Sequence, residues 1–193
     1  MIFSITLESF SESLFSYVCH QDASILIALN GRTLMLCPRC SGLQAGFFIT
    51  MLVLLLVNGV KNLKTGRAFK SLVVVALLFL FSEWMLAQTG IIHSTAASRL
   101  LSGLAGGVAF SLLGIAYRNQ FVGQSSQVAS RICRAIPMIF IILFLGLLLF
   151  HADLWSVVTL LLVLAVIVNG LFILQTVILR VYALFVKTKN TNE

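Results

Sequence analysis

From Trp155 to Ile178 the chain runs for 24 residues without a charged side chain. As one helix, at about 1.5 Å of rise per residue, such a segment reaches across the roughly 30 Å hydrocarbon core of a bilayer. In lipid every backbone N–H and C=O needs a partner within the protein, and a helix supplies those partners from its own segment. Apolar runs recur upstream at about 41–60, 71–88, 97–117 and 136–151. The expectation is therefore an all-α fold, a polytopic membrane helix bundle with five transmembrane spans in a single integral membrane domain, 1–193. Composition agrees. Only 10% of residues are charged, against about 25% in soluble domains, so there is too little polar surface to cover a water-facing globule.

The 13 Lys and Arg side chains are distributed unevenly. Lys61, Lys64, Arg67 and Lys70 follow the first span, Arg118, Arg131 and Arg134 the third, and Arg180, Lys187 and Lys189 the fifth. Those three places share one side of the membrane. Arg32, Arg39 and Arg99 fall on the other. Basic loops stay cytoplasmic, so the C-terminus is expected inside and the N-terminus outside, in the cell's inner (cytoplasmic) membrane. The net charge of +7 then reflects topology and implies no nucleic-acid partner; the partner is membrane lipid. The stretch Met1–Val18 lacks a basic leader region and a cleavage site, so no secretory signal is expected. Trp84 and Trp155 suit an outer aromatic belt.

Residues 2–18 place Phe3, Leu7, Phe10 and Leu14 at helical spacing among Ser and Glu. This predicts an amphipathic N-terminal helix at the interface or over the bundle. Asn30-Gly31 marks a turn, either of a short hairpin or of a re-entrant bend. In the third span Gly103 and Gly107, continued by Ser111, form a small-xxx-small pattern, read as packing within the bundle.

Residues 1–40 form an outer cap rich in reactive groups. Cys19-His20-Gln21 precedes Cys37-Pro38-Arg39-Cys40-Ser41-Gly42, and the latter leads directly into the first apolar run. With Pro38 in the first turn of a helix, Cys37 becomes its N-cap and Cys40 lies one turn on. The helix dipole and Arg39 both favour thiolate there. Cys19, His20, Cys37 and Cys40 together make a Cys3His set, the number a tetrahedral zinc site requires. The same thiolates suit disulfide exchange, with Cys19 as resolving partner, or a plain structural disulfide. Cys133 belongs to the cytoplasmic side and cannot join them.

Glu83 lies about 7 Å below the outer end of the second span at helical rise. A carboxylate at that depth is costly and marks a functional candidate, with Arg99 as a candidate partner or headgroup ligand. Arg32, Arg39, Gln88, His93, His151 and Asp153 also fall on the outer side. Asn169 stands apart within the fifth span, read as interhelical glue. This one-sided distribution points to a single outer-face site and against an ion path across the bilayer.

The pattern Cys19-His20-Gln21, Arg32, Cys37-Pro38-Arg39-Cys40-Ser41-Gly42 resembles a prokaryotic family of small predicted membrane proteins with no assigned activity. Glu83 and Arg99-Leu100-Leu101-Ser102-Gly103 resemble that family's acidic residue and R-x-x-x-G, with Glu in place of Asp and Trp84 in place of a glycine. The resemblance covers about residues 15–115 and implies a Cys/His head on a membrane bundle. From the residues, the leading expectation is an extracytoplasmic zinc site beside a pocket of Arg32, Arg39, Glu83 and Arg99. That pocket would bind or act on a lipid or isoprenoid. The alternatives are a thiol–disulfide or thiol–quinone oxidoreductase, and a non-enzymatic assembly or transport accessory protein.

Overall fold

A computed structural model describes residues 2–21, 25–56, 66–121 and 153–190. These form helix α1 (Ile2–Ser16), a hairpin of β1 (Ala28–Leu29) and β2 (Arg32–Thr33), and helices α2 (Pro38–Leu56), α3 (Arg67–Gln88), α4 (Ala96–Phe121) and α5 (Leu154–Asn190). Among the described residues three stretches are long and apolar enough to cross a membrane: Phe69–Gln88 in α3, Ala96–Arg118 in α4 and Leu154–Ile178 in α5. The helical membrane architecture therefore stands with three candidate spans where the sequence predicts five. α2 begins the expected first span, whose end at 57–60 lies outside the described residues. So do the expected fourth span, 136–151, and with it Cys133 and His151.

The bundle is built on the contact between α2 and α4, the most extensive in the fold. A Cβ on Gly42 would strike the Leu100 carbonyl and lie 2.8 Å from the Leu104 nitrogen; one on Gly46 would strike the Leu104 carbonyl. From the other side, a Cβ on Gly103 would strike the Arg39 carbonyl, and one on Gly107 the Leu43 carbonyl and the Phe47 nitrogen at 2.7 Å. The two helices run parallel, and each offers two glycines four residues apart to the other's backbone. This is the close approach that small residues permit where no hydrophobic force drives helices together.

α3 runs antiparallel beside α4, with Leu80 against Gly106 and Val73 clustered with Ala109 and Leu112. α5 runs the same way as α2. Asn169, buried within α5, donates to the side-chain oxygen of Gln44 at 2.7 Å and to its carbonyl at 3.1 Å. Phe172 meets Phe47 edge to face at 5.8 Å. α4 and α5 thus both start at the cap end of the bundle.

The cap closes over that end. Asn30 and Gly31 both take left-handed φ, 51° and 75°, as a two-residue type I′ hairpin turn demands, which settles the turn as a hairpin. α1 lies over α5 and turns inward Leu7, Ser11 and Phe15. Phe10, expected on the buried stripe, is half exposed. Ser11 takes the inner place because its hydroxyl is satisfied by the Glu8 carbonyl at 2.9 Å, and its small size lets the helix settle close. Trp155 also departs from expectation. It is fully buried, clusters with Leu7 and Leu34, and donates its indole N–H to the Thr33 carbonyl at 3.1 Å. A buried indole needs such a partner, so Trp155 fastens the hairpin to α5 and does not face lipid. Trp84 is 42% exposed on α3.

Substituting Gly107→Ala should cost about 1–3 kcal/mol through overpacking against a helix backbone that cannot yield. Gly170, with nothing within 4 Å of its Cβ position, should tolerate alanine or gain about 0.5–1 kcal/mol. Thermal unfolding of the two variants in detergent checks this; equal melting temperatures would contradict the interlocked seam.

Candidate functional site

The α2 N-terminus assembles the thiols. α2 starts at Pro38, and the Ser41 N–H donates to the Cys37 carbonyl at 2.9 Å, so Cys37 occupies the cap position. Its sulfur accepts the Cys40 N–H at 3.4 Å. Cys19 arrives from the end of α1, where its N–H donates to the Phe15 carbonyl at 2.8 Å. The Cys19 sulfur accepts the N–H of Cys37 at 3.4 Å and of Gln21 at 3.5 Å. Gln21, at φ 53°, donates its amide to the Glu12 and Met35 carbonyls at 3.1 and 3.2 Å, which ties α1 to the end of the hairpin. Phe15, Leu36, Leu162, Val163 and Val166 form the apolar floor beneath.

The result is a trio of free thiols, Cys19, Cys37 and Cys40, whose sulfurs all lie within 4.8 Å of one another. Backbone N–H groups aimed at sulfur favour the thiolate, the form that binds metal or exchanges disulfides. The Cys37 thiol is lowered to about 5, chiefly by the hydrogen bond from the Cys40 thiol and further by the Cys40 and Arg39 N–H groups and Cys19, against the opposing effect of burial. Cys40 is pushed up, because its proton is shared toward Cys37 and its own charge would be buried beside other sulfurs. His20 is exposed and lies outside the trio.

Arg39, between the two α2 cysteines, points the other way. It forms an ion pair with Glu83 of α3, whose carboxylate is 5% exposed. The same carboxylate accepts the hydroxyls of Ser94, of Ser98 at 3.4 Å and of Ser102 at 3.1 Å. Ser98 and Ser102 lie four residues apart and so share one face of α4, and Ser94 precedes the helix. Thr95 and Ser98 cap that helix reciprocally, each N–H donating to the other's hydroxyl at 3.0 and 3.1 Å, a serine version of the capping box. Gly90, left-handed at φ 73°, turns the chain out of α3 so that the serines face back toward Glu83. A carboxylate at the N-terminus of α4 also gains from the helix dipole. Arg99 reaches Glu83 only through Ser94, donating its Nε–H to that hydroxyl at 3.1 Å.

The remaining candidates are placed elsewhere. Arg32 lies over the Trp155 ring at 5.2 Å, in the cap and not beside Glu83. His93 and Gln88 are exposed. Asp153 accepts the Ser156 hydroxyl at the start of α5. The three serines were not singled out from the sequence, although their spacing of four and the Thr95-x-x-Ser98 pattern carried the signal.

Two predictions follow from this geometry. Removing Arg39 alone strands a buried carboxylate, so Arg39→Met should cost about 3–5 kcal/mol, and the double change Arg39→Met/Glu83→Gln should recover most of that loss. Unfolding of both proteins checks it, and additive losses would contradict direct pairing. In the reduced, metal-free protein, alkylation of Cys37 should follow its thiolate population, rising through a midpoint near pH 5. Cys40→Ala should move that midpoint up toward the ordinary thiol range of about 8.5, as mass-spectrometric rate profiles would reveal.

No curated protein and no solved structure matches this chain. The stretch from Cys19 to Leu113 does match a family, and it contains the whole thiol trio, the glycine seam and the Glu83 network. Over residues 19–113 the chain matches the family described as "Predicted membrane protein (DUF2085)".

Proposed function

We propose that this chain is an inner-membrane protein whose Cys19, Cys37 and Cys40 hold a thiolate-preferring metal, zinc, on the extracytoplasmic face. The observation that carries this reading is the convergence of three sulfurs within 4.8 Å, those of Cys19 and Cys37 also accepting backbone N–H groups. Sulfurs around a tetrahedral zinc at about 2.3 Å stand roughly 3.8 Å apart, so the trio needs to contract by about an ångström. His20, adjacent to Cys19, completes the set when its ring turns inward from its exposed position. The outward orientation rests on the ten Lys and Arg that follow the first, third and fifth apolar runs of the sequence. Zinc would fasten α1 and the hairpin to the start of α2.

The Arg39–Glu83–Arg99 network adjoins this cap at the outer ends of α3 and α4. Among the described residues nothing else accepts from the Arg99 guanidinium beyond Ser94. That leaves donors suited to the phosphate of a lipid or isoprenoid. Thiol–disulfide chemistry is the second reading. It is favoured by one observation, the Cys40 N–H directed at the Cys37 sulfur at 3.4 Å, which readies one thiol as nucleophile beside its neighbour.

Purified protein should carry about one zinc per chain, lost in Cys37→Ser and weakened in His20→Ala by the 10–100-fold typical of a disturbed ligand set. Elemental analysis alongside thiol titration separates the readings: no metal together with a reducible Cys37–Cys40 bond would give the second reading precedence. In intact cells an impermeant maleimide should reach the cap thiols once a chelator is added and should not reach Cys133. Labelling of Cys133 instead would invert the orientation.

A further inference from the structure

At the end of the bundle opposite the cysteines, α4 and α5 bring together two arginines with no carboxylate to meet them among the described residues. Arg118 of α4 lies over the Phe172 ring of α5 at 5.9 Å, and Arg180 of α5 lies over the Tyr117 ring of α4 at 5.2 Å. Each guanidinium is thus backed by an aromatic face from the partner helix, which holds the planar group in place and leaves its N–H edge for an acceptor. The Nε of Arg118 is shielded from solvent and has no hydrogen-bond partner among the described residues. The deficit of acid is a property of the whole chain. No Asp or Glu occurs between Glu83 and Asp153 or between Asp153 and Glu193. Among the described residues the one ion pair is Arg39–Glu83, at the other end.

The depth of the pair identifies its ligand. The apolar stretch of α4 ends at Arg118 and that of α5 at Ile178, two residues before Arg180. Both guanidiniums therefore sit where hydrocarbon gives way to headgroups, and the anion concentrated at that level is a lipid phosphate. We propose that Arg118 and Arg180, framed by Phe172 and Tyr117, form a binding site for the headgroup of an anionic phospholipid between α4 and α5. Planar arginines engage phosphate through paired N–H donors, and basic sites between helices at this boundary are suited to anionic headgroups. The site is independent of the metal reading of the cap.

Native mass spectrometry of the full-length protein in detergent, titrated with phosphatidylglycerol or phosphatidylcholine, tests the site. The wild-type chain should retain phosphatidylglycerol in preference to phosphatidylcholine. Arg118→Gln/Arg180→Gln should weaken the first phosphatidylglycerol by about tenfold or more, whereas Arg67→Gln/Lys70→Gln, which removes the same charge from the start of α3, should change it by less than about threefold. Equal losses in the two pairs would reduce the effect to diffuse charge and overturn the site; equal retention of the two lipids would overturn it as well. Arg118→Lys/Arg180→Lys guards against misfolding. It keeps the charge but loses the planar fork, and should bind phosphatidylglycerol several-fold more weakly than wild type. Unchanged binding in that variant would remove the role assigned to the aromatic-backed guanidiniums.

Discussion

The contact on which the remaining structure depends is the backbone-to-backbone seam of Gly42, Gly46, Gly103 and Gly107. It fixes the register of α2 against α4 more tightly than interdigitating side chains would. Arg39 lies directly over Gly103 in that register. Its side chain then reaches across to Glu83, while Ser94, Ser98 and Ser102 approach the same carboxylate from the start of α4. A buried charge is tolerable only when geometry and hydrogen bonds are both good. The glycines supply the geometry and the serines supply the hydrogen bonds.

The cap depends on a second set of constraints that converge on α5. Trp155 holds β2 through Thr33, Gln21 holds α1 against Met35, and Phe15 and Leu36 bury themselves against Leu162, Val163 and Val166. Cys19 is delivered to Cys37 and Cys40 by this packing. The thiol trio and the carboxylate network meet at Arg39, one residue from Cys40 and in direct contact with Glu83. What happens at the sulfurs is thus separated from the α3–α4 end by a single side chain.

Much of this was legible from residue types whose local preferences are strong. Pro38 announced the start of α2 and put Cys37 at its cap. Asn30-Gly31 announced the turn, and Asn169 its role between helices. Pairings set by tertiary register were not legible. Arg99 is nearer Glu83 in sequence and opens the adjacent helix, yet Arg39 takes the carboxylate, because the glycine seam carries α2 to that spot. Gly42 and Gly46 were half of the seam, but Gly42 drew notice only as the tail of the cysteine motif. Trp155 read as a belt residue because its depth along the chain fits one; its burial comes from the hairpin folding over it, and no local pattern encodes that. The first, second, third and fifth apolar runs coincide with α2, α3, α4 and α5, and among the described residues α3, α4 and α5 contain stretches with the length and apolarity of a span.

α5 has 37 residues, and its apolar stretch ends at Ile178, leaving the helix to continue to Asn190. At about 1.5 Å per residue the final twelve residues extend roughly 18 Å past the hydrocarbon boundary. The helix is unbroken over that extension. A tilt of α5 by about 10° would swing its tip by roughly 3 Å relative to the end of its apolar stretch, on the side away from the cysteines.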